Sequence, residues 1–361
     1  MDSLNPSTRC GLRSKRRQIH PTVDLDRPDF SAIDLRDQCV AFFGVSSSTT
    51  ISAIAAELGV SWHTVNSIAM RATADLVAAA GPDRLAGVKV IGIDEHRWAP
   101  RRRGADGFVT VIIDLTPVHD RSGPARLLDV VEGRSATALA GWLSAQPTAF
   151  AAGVEVIAMD GFAGYKTAAA DVVPDAVTVM DPFHVVDLAG AKLDLIRQRI
   201  QQQTLGRRGH TGDPLYGIRR IARTRLQLLS TRQYDRLTSV LDADEHIAVK
   251  VAHVIYQKII AAYADPNRRR GKHAMTRLID SIRRSVPAGL DEIAQLGRTL
   301  WRRRDDILAF FDHHASNGPT EAINGRLEAL RRNALGFRNL THYRIRSLLH
   351  SGALHALVNA L

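Results

Sequence analysis

Five short runs rich in β-branched residues lie between Gly87 and Asp181, and none follows Pro182. They are Gly87–Asp94 (GVKVIGID), Gly107–Leu115 (GFVTVIIDL), Arg126–Val131, Gly153–Asp160 (GVEVIAMD) and Ala176–Asp181 (AVTVMD). Each has the length and the branched side chains of a buried strand. Helical spacing interrupts them at Ser135–Gln146, where Leu139, Trp142 and Leu143 share a face, and at Gly164–Asp171. The order β, β, β, α, β, α, β predicts a mixed sheet with helices packed on it. Beyond Pro182 the chain reads as helices at Val185–Gln203, Leu215–Leu229, Tyr234–Leu241, His246–Ala262, Ala274–Ser285 and Leu290–Phe311. Within this part Arg268–Lys272 (RRRGK) reads as a solvated basic turn, and Trp301, Phe310 and Phe311 are spaced for core packing, although an aromatic there could also stack on a flipped or frayed base.

The sheet is preceded by two short helical patterns, one carrying Ile51, Ile54, Ala55 and Leu58 and the other Val65, Ile68 and Ala69. Gly59 is free to turn left-handed between them and Ser61 to cap the second. A tight helical pair of this kind is the pattern of an ordinary helical hairpin or of a helix-turn-helix, whose second helix would present Ser61, Trp62, His63 and Asn66 to base edges or phosphates. Residues before this pair mix Pro, Ser, Arg and Asp with no period and read as an arm.

Charge points to a polyanionic partner. Lys and Arg number 48 against 37 Asp and Glu, a formal net charge of +11. The excess is local: Lys192 to Arg346 holds 30 basic and 15 acidic residues, so the rest of the chain is slightly acidic. The longest apolar runs, such as Val88–Ile93, fall short of the roughly 18–20 residues of a membrane span, and Met1–Lys15 has no apolar leader pattern. Cys10 and Cys39 are too few for a disulfide framework or a four-cysteine zinc site. A soluble, cytoplasmic protein with no membrane partner is expected.

Asp94 and Asp160 each close a strand-like run, which would set two carboxylates at one sheet edge, the usual place for chemistry in open α/β sheets. The same acids could simply open loops. Glu95 would point to the opposite face, so Asp94 is the candidate of that pair. A third carboxylate, Glu321, follows Asn317-Gly318-Pro319 in the first turn of a helix whose Ile323, Leu327 and Leu330 form the apolar stripe. Glu321 lies about 200° around that helix from Ile323, on the polar side with Asn324 and Glu328. It could serve a site or only complement the helix dipole.

These blocks carry a resemblance. IGIDEHRW, GFVTVIIDL, AMDGFAGY, DPFHVV and SNGPTEAINGRLEALRRNALGFRN, in that order from Val88 to Leu349, resemble the catalytic domain of bacterial insertion-sequence transposases of the DDE type, specifically the IS-L-three family. The resemblance implies a ribonuclease-H-like α/β catalytic domain with a large all-α insertion, preceded by a helix-turn-helix. It also implies Asp94, Asp160 and Glu321 as the catalytic, metal-binding triad. The implied organisation is 1–45, arm or truncated zinc-binding remnant; 46–84, helix-turn-helix; 85–190, first part of the catalytic core; 191–312, basic helical insertion; and 313–361, the remainder of the core with Glu321. Transposition would require Mg²⁺ or Mn²⁺, as a pair of ions about 3.5–4 Å apart, whose preference for oxygen ligands calls for carboxylates rather than His or Cys. The partners would be double-stranded DNA at terminal inverted repeats and at the target, and a second copy of the chain, within the bacterial cytoplasm at the nucleoid. Arg331 and Arg332, after the Glu-bearing helix, would contact DNA. Accessory roles fall on Arg101, which could hold a phosphate or sit in a hairpin turn, on Asn324, and on Asp181 and His184. The last two also read locally as the cap and first turn of a helix begun by Pro182.

Three other functions fit part of the sequence. A helix-turn-helix regulator explains the N-terminal half but neither the basic helical half nor the setting of Glu321. A decayed transposase would bind DNA without turnover, consistent with the lack of the family's four-cysteine segment. A ribonuclease-H-like nuclease would share the triad and differ only in product.

Overall fold

The computed structural model describes residues 50–80, 84–100 and 107–354. The segment 1–45, expected as an arm or a truncated zinc-binding remnant, and Arg101 lie outside the described residues. Two compact units are present, one ending at Ala69 and the other beginning at Met70.

In the first unit, α1 (Ile51–Leu58) starts at Thr50, whose hydroxyl accepts the Ala53 N–H at 3.1 Å. It stops at Gly59, which has φ 66° and donates its N–H to Ala55. Ser61 then caps α2 (Trp62–Ala80) by accepting the Thr64 N–H at 3.0 Å. Ile54 and Val65 are buried in this unit while Ser61, Trp62 and His63 are exposed. Gly59 and Ser61 thus act as their types suggested, because a left-handed residue and a hydroxyl cap are what a three-residue turn between helices needs.

The second unit is built on five strands, β1 (Val90–Arg97), β2 (Phe108–Asp114), β3 (Arg126–Glu132), β4 (Val156–Met159) and β5 (Val177–Met180), in the spatial order β3-β2-β1-β4-β5. The strands β1, β2 and β3 are antiparallel neighbours, and β4 and β5 add in parallel to β1. Both faces are covered, which is why these runs are continuously apolar. One face, with Ile91, Ile93, Ile112, Ile157 and Met159, packs under α4 (Ala136–Ser144) and α6 (Ala163–Val172). Short α3 (Thr116–His119) and α5 (Thr148–Gly153) lead into β3 and β4. The other face, with Val109, Val111, Ile113, Ala158 and Val179, joins the core of the helical region.

That region contains α7 (Pro182–Leu205), α8 (Pro214–Gly217), α9 (Thr231–Leu241), α10 (Ile247–Ala264), α11 (Arg268–Arg284), α12 (Asp291–Arg302), α13 (Arg304–His313), α14 (Gly318–Asn333) and α15 (Leu340–Ser351). Four expectations are corrected here. Leu215–Leu229 is only a single α-turn followed by two 3₁₀ turns, Ile221–Arg223 and Leu226–Leu228. Side chains outside this stretch take its carbonyls: Tyr256 donates to Arg223 and Gln257 to Thr224. Arg268–Lys272 is the start of α11 rather than a turn, capped by Asn267, and its Gly271 lets the helix approach the Ala262 carbonyl and the Phe311 ring. Leu290–Phe311 is broken at Arg303 into α12 and α13. Trp301 is not core: it is 38% exposed, with the Arg283 guanidinium 3.6 Å from its ring centroid. Phe310 and Phe311 are buried as expected. Asp244–Ala264 is long and apolar enough to cross a membrane by length and composition, which no single apolar run revealed. Its Val249, Ala252, Tyr256 and Ile259 are buried in the core with α7.

Candidate active site

Strand register brings the first two carboxylates together. The parallel pairing of β1 and β4 ends at Ile93 opposite Met159. Asp94 and Asp160 are therefore the next residue on each chain, side by side where β4 has ended. Asp94 does not end its own strand: β1 continues through Glu95, His96 and Arg97 against β2. The site is made by the shorter strand stopping, a feature that pairing decides and that one strand read alone does not show. Glu95 points away, as alternation requires, and pairs with Arg134 at 3.0 Å.

His184, in the first turn of α7, completes a group. Asp94, Asp160 and His184 each offer one ligand atom, all within 4.8 Å of one another, and all three are half-buried. The Asp94 carboxyl is pushed up to about 6 by burial and by the charge of Asp160, against the Glu95 N–H at 2.8 Å and the nearby His184. Partial shelter and the neighbouring carboxylate destabilise the Asp94 charge, and a divalent cation is the partner that reverses this. The donor set fits such an ion: two hard oxygens and one imidazole nitrogen, a nitrogen that the carboxylates alone did not require.

Helix α14 is pinned to the strand beside this group. Asn317 is fully buried; its side-chain amide donates to the Ile93 carbonyl at 2.9 Å, and its backbone N–H donates to Asp181 at 2.7 Å. Asp181, also buried, accepts the Phe183 N–H with its other oxygen and so caps α7 as its local reading predicted. Thr320 donates to Asn317 at 3.2 Å. Gly92 makes the approach possible, since a Cβ there would stand 2.4 Å from the Thr320 hydroxyl and 3.2 Å from the Asn317 amide oxygen. One turn further along, Asn324 donates to Asp94 at 2.9 Å. Glu321 falls between Asn317 and Asn324 on the same side of the helix, but it is exposed and is not part of the group of three. Sequence reasoning gives no role to Asn317 or Gly92. The Ser-Asn-Gly block singled out the first, and no signal marked the second.

Asp160 is held from behind. One of its oxygens accepts the Phe162 N–H at 2.8 Å, and the Gly161 carbonyl accepts from Arg303 at 3.2 Å. Arg303 also donates to Asp306, a buried carboxylate that takes Lys166 at 2.9 Å and Thr178 at 2.7 Å. The break between α12 and α13 thus falls where a buried charge network attaches the helical region to the turn after Asp160.

The candidate DNA contacts are in two states. Arg331 and Arg332 both pair with Glu328 at 2.7 Å, and they hold that carboxyl down at about 2. In the helical region, Arg283, Arg298, Arg302 and Trp301 line a cavity of about 730 Å³, and Arg298 and Arg302 are exposed.

Comparison with known proteins gives the chain a family. Residues 91–347 match the family model of DDE transposases of the IS-L-three type, described as "Transposase". Two curated proteins of Mycobacterium tuberculosis, from strains CDC 1551 / Oshkosh and ATCC 25618 / H37Rv, are each named "Transposase for insertion sequence element IS1557". Each is 28% identical over 324 residues, covering 84% of this chain and 68% of its relative. Among solved structures, the "Drosophila P element transposase strand transfer complex" aligns with 11% identity and a TM-score of 0.44, covering 91% of this chain and 94% of that one.

Proposed function

From the premise that this chain belongs to the IS-L-three family of DDE transposases and is a transposase, we propose that Asp94, Asp160 and Glu321 are its catalytic carboxylates. The five-stranded order with parallel β4 and β5 is read as a ribonuclease-H-like core, and the helices after β5 as its insertion. The chain would cleave and join DNA phosphodiester bonds at insertion-sequence ends. The observation that carries this reading is the register Ile93 opposite Met159, which sets Asp94 beside Asp160 with His184 within 4.8 Å.

Asp94, Asp160 and, from α14, Glu321 would hold Mg²⁺ or Mn²⁺, with His184 as a further donor. When bound, a pair of such ions supplies Lewis acidity at the scissile phosphate and lowers the pKa of an attacking water or 3′-hydroxyl. The remaining work belongs to the chain's own groups. The Glu95 N–H and the Asn324 amide each occupy one oxygen of Asp94 and fix its plane. The Phe162 N–H does the same for Asp160. The Asp181–Asn317–Ile93 bonds set the turn that bears Glu321 against β1, so that a first-turn glutamate can swing toward the pair. Ser61, Trp62, His63 and Asn66 at the start of α2 would read base edges as a helix-turn-helix does. The arginine-lined cavity and other exposed arginines of the helical region would follow phosphates. Two chains would be needed to hold two DNA ends, in the bacterial cytoplasm at the nucleoid. A regulator would account for α1 and α2 but leaves the Asp94–Asp160–His184 group without a use.

The test is incubation of the full chain with a labelled terminal-repeat duplex and Mg²⁺. Asp94→Asn, Asp160→Asn and Glu321→Gln should each reduce nicking by about 10³-fold or more while binding persists. Unchanged cleavage in a variant removes that residue from the site, and a wild-type chain that binds without cutting is a decayed transposase.

A further inference from the structure

Helix α14 ends in an unusual way. The N–H of Leu335 donates to Arg332 at 3.0 Å and that of Gly336 to Arg331 at 2.8 Å, the paired closing bonds of a Schellman turn. The left-handed position of this turn is normally glycine, yet here it is Leu335, at φ 55°. Its side chain is 97% exposed. A leucine in this place loses on both counts: its Cβ disfavours the backbone, and its apolar surface gains no packing. Isolated exposed leucines are ordinary, but they are not usually combined with a disfavoured conformation that a glycine would relieve.

The residue is also presented rigidly. Two residues on, Phe337 packs on the core, its ring 5.1 Å from that of the fully buried Tyr343. Asn339 then caps α15 by accepting the Thr341 N–H at 2.7 Å. The tip is therefore clamped on both sides and flanked by two exposed arginines: Arg332, which pairs with Glu328 in the free protein, and Arg338, which has no partner among the described residues. Glu321 and Leu335 are separated by fourteen residues along α14 and its turn, roughly 20 Å at helical rise. That is about six base pairs of duplex from the carboxylates.

We propose that Leu335 is a wedge that enters duplex DNA between two base pairs and partly unstacks them, with Arg332 and Arg338 on the flanking phosphates. This rests on the reading of the chain as a DNA-binding transposase. Apolar side chains entering from a rigid, basic element are the means by which proteins kink a duplex, and the base stack supplies the apolar contact that Leu335 lacks in the free protein. A protein partner would need a wider apolar patch than one side chain, whereas the gap between two base pairs admits just such a tip.

The full chain is titrated at low salt onto duplexes carrying a single 2-aminopurine at successive positions. Wild type should raise the fluorescence severalfold at one step, Leu335→Gly should leave it at the level of free duplex, and Leu335→Phe should retain it. Affinity for duplex should change little in Leu335→Gly, and its melting temperature should equal or exceed that of wild type, as relief of the left-handed leucine predicts. Equal unstacking by wild type and Leu335→Gly overturns the proposal, as does wild-type binding with no unstacked step. A Leu335→Gly variant that alters only the mass in sedimentation assigns the tip to a second copy and overturns it too. Failure of wild type to bind any duplex is a different result, because it overturns the DNA-binding reading itself.

Discussion

The sheet edge around Asp94 and the arginine-rich helices use polar groups in opposite ways. At the sheet edge few groups are present and nearly all are committed: Asn317, Thr320 and Asp181 are buried and bonded to one another or to backbone. In the helices charges are numerous, many are exposed, and Arg298 and Arg302 stand open around a cavity. A buried polar group without its partner loses its full desolvation energy, so position there is exact and substitutions are severe. Exposed charges act through a summed field, so each can be lost at small cost to folding and measurable cost to polyanion binding. Chemistry would sit in the first region and attraction in the second.

The largest stability effect should come where the two regions join. Asp306→Asn removes the carboxylate that Lys166, Thr178 and Arg303 share. Leaving Arg303 buried without its anion should cost about 3–5 kcal/mol, with the share of the more exposed Lys166 screened by water. Urea unfolding measures it. A loss below about 1 kcal/mol, the range of surface pairs, would mean that this junction behaves like the open arginines and would erase the contrast.

The converse case is the triple change of Arg283, Arg298 and Arg302 to Ala. Folding stability should fall by no more than about 1 kcal/mol, mainly the loss of the Arg283–Trp301 contact. The slope of log affinity for duplex DNA against log salt should flatten by up to about 2.7, or 0.9 for each phosphate released. An unchanged slope places the DNA elsewhere.

Glu328 gives the smallest effect. Arg331 and Arg332 lower its pKa from 4.5 to about 2, so the folded state favours the ionised form. That contribution is whole above the ordinary value and is lost as pH falls from 4.5 toward 2. Because the pair is half-exposed, Glu328→Gln should cost at most about 1 kcal/mol at pH 7, with most of that cost gone by pH 2. A larger loss would move this surface pair into the class of the buried network.

The same contrast explains what could be read from sequence. Strand identity was legible because burial on both faces leaves continuous branched runs such as Val109–Ile113. The closeness of Asp94 and Asp160 was legible from the two strand ends, but its cause was not, since where β4 stops relative to β1 is a property of pairing. Asp181 was legible as a cap, whereas its second bond, to Asn317, spans 136 residues. The break at Arg303 was hidden because Trp301–Arg304 contains no helix breaker; a tertiary network imposes it. Trp301 was misplaced because spacing alone does not distinguish a core aromatic from one covered by Arg283.

Metal binding tests the central claim most directly. Titration of the full chain with Mn²⁺, followed by the loss of the free-ion electron paramagnetic resonance signal, needs no DNA and no turnover. The account predicts that Asp94→Asn and Asp160→Asn each weaken binding by at least about tenfold, with a smaller loss for Glu321→Gln, whose side chain is exposed in the free protein. Binding in both Asp variants indistinguishable from wild type would contradict it.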